Sequence, residues 1–333
     1  MMDLTADGTH AELRKAVRTF LAAECPLVTT ASVSETKQGW DPGTWGRIAQ
    51  LGWLGVSVPV RLGGAGLGFM EEAILLEEFG RALYPGPYMA TVALAAPALD
   101  GDRLRDLAEG RSRWSAQLGP SWLVPNLQQV DAVVVEQDRR LVAVDAEGLE
   151  TESVDPTRGL GRLRMAPGKE LQNRGRSRSV RRQMRLRARA ALALEAVGLA
   201  AAVLELGVGH AQTREQFGRP IGAYQAVAHK LADTYAEVEL SRALAYWAAR
   251  CIAEDDPEAE LASAAARSFA AETAVTACER VIQVFGGMGF TWEMPLNFYY
   301  RRALWIERFG WSPARCRADV SASLLGRPVE RGV

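Results

Sequence analysis

The stretch "QVFGGMGFTWEMP" (283–295) follows a long alanine-rich segment and places three glycines within four positions. Backbone without Cβ atoms serves one of two purposes at such a point. It can end a helix with a residue in the left-handed conformation, or it can let the phosphates of a ligand approach backbone N–H groups. The glycine spacing leaves both interpretations open, so the segments around it must decide.

The segments around these glycines are strongly helical from about residue 186 onward. They read "ALALEAVGLAAAVLELGVGHA" (191–211), "YQAVAHKLADTYAEVELSRALAYWAARCIAE" (224–254), a third run from Asp256 and Pro257 to "CERVIQVF", and a fourth over about 296–309. Alanine and leucine dominate the first of them. Four long helices joined by short connections predict a helical bundle.

The first third of the chain also predicts helices. Thr9 and Glu12 form a capping box before an apolar run at helical spacing, and Asp41 with Pro42 is typical of a cap and first turn. The segment "FMEEAILLEEFGRAL" (69–83) is helical again. The spacing of the glycines in "GGAGLG" (63–68) fits neither the Walker loop nor the G-x-G-x-x-G motif. An ordinary turn is therefore the favoured interpretation.

The middle of the chain changes character. "VDAVVV" (130–135) and "RLVAVD" (140–145) flank the polar turn "EQDR", and "LETESV" (149–154) follows. The predicted fold class is thus mainly α with a small β insert. Its predicted domains are an N-terminal helical domain (1–110), a short middle β domain (111–170) and a C-terminal four-helix bundle (171–333).

Composition excludes several classes of function. The chain has 333 residues, 48% of them hydrophobic, and a net charge of −1, which gives no reason to expect nucleic acid or an acidic membrane as a partner. Four distant cysteines and three histidines do not predict a metal site or a disulfide scaffold. No signal-peptide core is present, and no apolar run approaches the roughly 20 residues of a membrane span. We expect a soluble, cytoplasmic protein.

Residues 158–189 carry twelve Arg or Lys and one acid, Glu170. This run could be a basic arm for phosphate. The favoured interpretation is a solvated linker or the charged start of the next helix, because no aromatic residues interleave to stack on bases.

Three segments together resemble the acyl-CoA dehydrogenase family: "LGWLGVSVPVRLGGAGLG" (51–68), "REQFGRPIGAYQAVAHKLAD" (214–233) and "QVFGGMGFTWEMPLNFYYRRA" (283–303). The resemblance covers both helical parts. It implies an N-terminal α domain, a middle β domain and a C-terminal four-helix bundle. It also implies FAD as cofactor and an acyl-CoA thioester as substrate, which is dehydrogenated between Cα and Cβ.

The resemblance implies six cofactor-binding residues that contact FAD across a subunit interface: Arg214, Phe217, Gln225, Gln283, Gly286 and Gly287. An Arg can form a forked contact with phosphate, an aromatic ring can lie against adenine or ribose, and glycines allow a diphosphate close to the backbone. For each of these residue types, a purely structural role remains as the alternative. The glycines could be a helix cap, Arg214 could form a surface ion pair, and Phe217 could pack in a core.

The family's catalytic base is the point at which this sequence departs from the pattern. In most members a Glu follows the last motif, and Gly310 occupies that position here. Other members carry the base on the first bundle helix, where this chain has Ala188, next to Arg189 as a candidate substrate residue. Glu307 and Glu195 are the nearby acids, but neither is a good geometric match, and Glu307 is the weak catalytic candidate.

The middle segment lacks the family's flavin-cradling stretch, so this chain alone is not expected to enclose an isoalloxazine ring. These departures resemble the degenerate, base-lacking subunit of actinobacterial heterotetrameric acyl-CoA dehydrogenases, which act on steroid side chains or other bulky acyl groups. A homologous partner subunit and an electron-transfer flavoprotein as acceptor follow from that resemblance. The alternatives are a homo-oligomeric dehydrogenase with an unusual base, a non-catalytic structural subunit, and a flavin oxidase or monooxygenase on the same fold.

Overall fold

The computed structural model describes residues 8–34, 36, 39–118, 121–171, 177–291 and 294–326. A small β region lies between two helical parts, which confirms the predicted fold class. One large hydrophobic core joins the N-terminal helices to the bundle, and a second, smaller core lies inside the β region.

Among the described residues, the N-terminal part contains five α-helices: α1 (Gly8–Glu24), α2 (Leu27–Ser34), α3 (Pro42–Gln50), α4 (Phe69–Arg81) and α5 (Gly101–Ala108). The predicted cap at Asp41 is confirmed, since its carboxylate accepts hydrogen bonds from the N–H groups of Gly43 and Thr44 at 3.0 and 2.8 Å. The prediction of a capping box at Thr9 is wrong. Helix α1 already includes Gly8, so Thr9 lies within its first turn, and the residue before Gly8 lies outside the described residues.

The β region forms two small sheets from seven strands: β1 (Trp114–Ala116), β2 (Leu123–Pro125), β3 (Ala132–Gln137), β4 (Arg140–Asp145), β5 (Gly148–Thr151), β6 (Leu160–Leu163) and β7 (Lys169–Glu170). The sheet orders are β1-β3-β4-β7 and β2-β6-β5. The predicted hairpin is confirmed, because β3 and β4 pair antiparallel with Val134 opposite Ala143. Asp138 and Arg139 both have positive φ in the two-residue turn, as the twist of a tight hairpin requires.

The C-terminal part contains α6 (Ser177–Thr213), a short hairpin of β8 (Glu215–Gln216) and β9 (Arg219–Pro220), then α7 (Gln225–Ala253), α8 (Ala259–Phe285), α9 (Leu296–Arg308) and α10 (Pro313–Leu324). Four of these helices match the predicted bundle. Helix α6 begins nine residues before its predicted start, at Ser177 rather than 186. Helix α10 was not predicted, although Ser312 and Pro313 are a readable start signal, and the Ser312 hydroxyl accepts from the Arg315 N–H at 3.3 Å.

Helix α6 is the central helix of the molecule. It contains an 18-residue window with mean hydropathy 1.9, long and apolar enough to span a membrane by composition alone, and 83% of that window is buried inside the protein. The expectation that no apolar run approaches such a length was therefore wrong. Position in the bundle core accounts for the apolar composition, because a helix that is apolar all round is a buried one.

Helices α4 and α6 cross with their backbones in direct contact. A Cβ atom on Gly198 would collide with the carbonyl group of Glu77, and one on Gly80 would collide with the backbone of Glu195. Only glycine fits at either position, so this crossing fixes the N-terminal helices against the bundle.

The basic run is not a solvated linker at three of its positions. Arg158, Arg187 and Arg189 are largely buried, and each pairs with a carboxylate from a distant part of the chain. The alternative, that the run is the charged start of the next helix, holds for the exposed Arg178 and the partly exposed Arg181, Arg182 and Arg185, which lie on the first turns of α6.

A buried charge cluster connects the β region to the bundle. The loop between β5 and β6 carries Asp155 and Arg158, which pair with Arg302 on α9 and with Glu195 on α6, and the side chains of all four are at most 3% exposed. Arg158 also lies over the ring of Trp305, 4.8 Å from its centroid. Two charges of each sign balance here, as burial of ions requires.

Candidate cofactor and catalytic site

The six predicted cofactor residues come together at one end of the bundle. Helices α6 and α8 both finish there and α7 begins there, because the three helices alternate in direction. The ring of His210 stacks on Phe285 with centroids 4.0 Å apart, which places the last turn of α6 beside the last turn of α8. All six residues are exposed at this surface.

The turn after α8 combines the two interpretations of its glycines. Gly286 has φ +63° and ψ −139°, a conformation that strongly favours glycine, and its N–H donates to carbonyl groups of the last helical turn. Gly287 has no positive φ. A Cβ atom added at Gly286 or Gly287 would meet no atom within 4 Å. The first glycine therefore ends the helix, and both leave open backbone for a ligand.

The β8–β9 hairpin projects an aromatic ring away from the protein. Phe217 is 94% exposed and has φ +52°, and Gly218 follows with φ +80°. A non-glycine residue in the left-handed region stores strain, and an exposed large ring gains nothing from the chain's own core. The core-packing alternative for Phe217 is wrong, and the ring is free to contact a second molecule.

Arg214 lies immediately after α6 at the base of this hairpin. Its N–H donates to the carbonyl of His210 at 2.8 Å, which continues the helical pattern by one residue. Within the part of the chain that the structure describes, its guanidinium group has no ion-pair or hydrogen-bond partner, so the surface ion pair with Glu215 does not form. Two helix C-termini carry partial negative charge here, and Arg214 supplies the positive charge that a phosphate needs.

Gly310, the position that corresponds to the family's usual Glu, lies in the turn between α9 and α10. Its φ is +70°, and an added Cβ would lie 3.9 Å from Leu192 of α6 and 4.0 Å from Leu118 after β1. A side chain at this position would therefore point toward the junction between bundle and β region.

Arg267 of α8 holds the backbone of this turn in place. Its Nη2 donates to the carbonyl groups of Ile306 and Phe309, the latter at 3.0 Å, and its side chain is fully buried. Burial lowers the pKa of Arg267 to about 10. Sequence reasoning missed this residue, because nothing in the pattern of α8 separates it from an exposed arginine.

Neighbouring residues surround both the alternative base position, Ala188, and the candidate substrate residue, Arg189. Ala188 is completely buried in α6. Arg189 donates to the carboxylate of Asp319 at 2.6 Å and lies over the ring of Trp311, 5.2 Å from its centroid. Asp319 belongs to the unpredicted α10 and was missed for that reason.

The two acids considered as substitutes for the base, Glu195 and Glu307, lie in different surroundings. Both oxygens of Glu195 accept hydrogen bonds from Nη2 of Arg158, at 2.8 and 3.0 Å, in a buried pair. The side chain of Glu307 is 28% exposed and lies 3.6 Å from the guanidinium of its neighbour Arg308.

These residues fit one half of FAD. The bundle end offers an arginine without a partner among the described residues, an exposed aromatic ring and uncovered glycine backbone, which suit a diphosphate and an adenosine group. All of them lie on an open surface of this chain.

Comparison with known proteins gives matches over nearly the whole chain. Residues 7–101 match the family model described as acyl-CoA dehydrogenase, N-terminal domain, and residues 179–312 match the one described as acyl-CoA dehydrogenase, C-terminal domain. Acyl-CoA dehydrogenase IpdE2 of Mycobacterium tuberculosis is 33% identical over 87% of this chain and 89% of its own length. The IpdE2 of Mycolicibacterium smegmatis is 29% identical over 96% of this chain and 95% of its own length.

Solved structures share the same fold. A variant of the steroid acyl-CoA dehydrogenase Tcur3481–Tcur3483 superposes with a TM-score of 0.85 at 26% identity, over 95% of this chain and 97% of the other. The ChsE4–ChsE5 complex of Mycobacterium tuberculosis gives a TM-score of 0.83 at 23% identity, over 98% of this chain and 100% of the other.

Proposed function

We propose, from the premise that this chain belongs to the acyl-CoA dehydrogenase family of FAD-dependent oxidoreductases, that it is one subunit of a hetero-oligomeric enzyme. The proposed substrate is the CoA thioester of a bulky or steroid-type acyl group. Support for this substrate class comes from the similarity to an enzyme titled a steroid acyl-CoA dehydrogenase. An electron-transfer flavoprotein is the proposed electron acceptor and the cytoplasm the proposed location.

The proposed role of this chain is to hold part of a cofactor whose remainder lies on another chain. The single observation that carries this role is the convergence of six exposed residues at one bundle end, including the unpaired Arg214 and the outward Phe217. Arg214 would bind the diphosphate, Phe217 would cover the adenosine, and the backbone after α8 would contact phosphate oxygens. When bound, FAD supplies the hydride acceptor for the desaturation.

The catalytic base of the reaction is proposed to come from the partner subunit. A base must lie within hydrogen-bond reach of the α-proton, and Gly310 and Ala188 have no group that can accept one. Of the acids near these two positions, Glu195 and Asp319 are occupied by buried arginines. The proposed contribution of this chain is thus cofactor binding and subunit assembly.

Purification of the chain with and without a homologous subunit tests the proposal. The chain alone is expected to lack bound flavin and to be inactive on acyl-CoA with an artificial electron acceptor. Co-expression should restore flavin and activity, and replacement of the partner's catalytic Glu by Gln should abolish that activity. Stoichiometric FAD and dehydrogenase activity in the isolated chain would exclude the hetero-oligomer.

A further inference from the structure

His210 occupies a central place at the bundle end. Its ring is nearly parallel to that of Phe285, at 14° between the planes, and the stack connects the last turn of α6 to the last residue of α8. Among the described residues, neither ring nitrogen has a hydrogen-bond partner. The stack uses the ring faces only and leaves the nitrogens available to a proton.

The position of this ring matters because of its two neighbours. Arg214 is four residues further along and accordingly lies on the same side of the helix. Phe285 directly precedes Gly286, the first residue of the open turn. The stack thereby fixes Arg214 relative to the glycine backbone, although the two belong to different helices.

We propose that His210 is a positioning residue of the cofactor surface and that its protonation strengthens the binding of a diphosphate there. This inference rests on the proposed function, because it takes Arg214 and the glycine turn as contacts of FAD. It adds an imidazole to a surface whose other proposed contacts are a guanidinium group, an aromatic ring, amide side chains and glycine backbone.

The charges around the ring of His210 determine whether the ligand binds more tightly at low or at high pH. Burial and, second, the positive charge of Arg214 lower the pKa of His210 in the free protein. A bound diphosphate brings negative charge beside both side chains and must raise that pKa again. A group that gains a proton on binding makes the ligand bind more tightly as pH falls through its titration range.

Other charged groups lie on the elements that surround the ring. The β8–β9 hairpin carries Glu215 and Arg219, and α8 carries Glu279, whose carboxylate accepts from a tyrosine hydroxyl. The segment 221–223 has no ionisable side chain. A second histidine, His229, is exposed one turn into α7 and provides a matched control.

The test measures the dissociation constant of FAD at pH 8 and pH 5.5 in the assembly in which the full chain purifies. Each phosphate of FAD has one ester bond, one anhydride bond and a single, strongly acidic hydroxyl, so the diphosphate keeps its charge across this range. ADP-ribose serves as a probe without the flavin. Wild type should bind about three- to tenfold more tightly at pH 5.5, since a shift of one pKa unit corresponds to a factor of ten. His210→Phe keeps an aromatic stack without a titratable nitrogen, and its affinity should be the same at both pH values.

Three further variants test whether the pH dependence comes from His210 itself, from the ring stack or from the cofactor surface as a whole. His229→Phe should retain the wild-type pH dependence, and His210→Ala, which loses the stack, should bind more weakly at both pH values. Full pH dependence in His210→Phe would overturn the inference while leaving the proposed function intact, provided that Arg214→Ala weakens binding. If Arg214→Ala binds FAD normally, the cofactor surface itself is wrong and this inference fails with it.

Discussion

Replacement of Arg158 by Met tests how the β region is held on the bundle. The substitution removes the only described hydrogen-bond donor to the carboxylate of Glu195, whose side chain is 3% exposed. It keeps a side chain of similar length over the ring of Trp305. Glu195 is then left as a buried carboxylate without a partner.

The expected loss of stability follows from that geometry. Removal of one partner from a buried ion pair destabilises proteins by about 3–5 kcal/mol, a large part of the usual total of about 5–15 kcal/mol. The unfolding entropy of a chain of this length is about 0.7 kcal/mol per kelvin, so the melting temperature should fall by about 4–7 °C. Removal of both charges in Arg158→Met/Glu195→Leu should recover most of the loss, because two apolar side chains then replace the pair.

Equilibrium unfolding in urea, followed by circular dichroism, measures these differences. The matched control is Arg250→Ala, which breaks the exposed pair with Glu254 on α7 and should cost less than about 1 kcal/mol. If Arg158→Met is no more destabilising than this control, the cluster does not hold the β region. A double variant as unstable as the sum of its single variants would contradict the pairing itself.

Four other substitutions address the candidate site. Arg214→Ala should weaken FAD retention about tenfold or more with helix content unchanged, since a charge-assisted hydrogen bond contributes about 1.5–3 kcal/mol; unchanged flavin stoichiometry in the purified complex would refute the contact. Gly287→Val should lose FAD while the melting temperature stays near wild type, whereas Gly286→Val should lower stability by about 1–3 kcal/mol because of its backbone conformation. Glu307→Gln should leave the activity of the co-expressed complex nearly intact, and a loss of ~10²–10⁴-fold in steady-state rate would identify Glu307 as the base after all.

The sequence was sufficient to predict the fold class and the main helices, because hydrophobic periodicity and turn residues act locally. The two-residue hairpin turn at Asp138 and the cap at Asp41 are of this kind. The miss of α10 was avoidable, since Ser312 and Pro313 are a local signal. Thr9 was wrongly predicted to cap a helix on the same kind of local signal, because a residue type that often caps helices can also lie inside one.

The pairing of buried charges could not be predicted from the sequence. Arg189 and Asp319 are 130 positions apart, and Arg302 and Asp155 are 147 positions apart. Whether an arginine is buried depends on which elements pack around it, because the same residue type is equally compatible with a solvated helix face. The site positions taken from family motifs stay predictions, and their shared exposure at one bundle end depends on tertiary packing.

The crossing of α4 and α6 has a consequence for how the chain folds and how it can be divided. Its N-terminal and C-terminal parts correspond to two separately recognised family domains, yet Gly80 and Gly198 bring their backbones into contact inside one continuous core. A fragment cut between them would expose the apolar face of α6 to water and should aggregate rather than fold. Both helical parts should accordingly melt in a single cooperative transition.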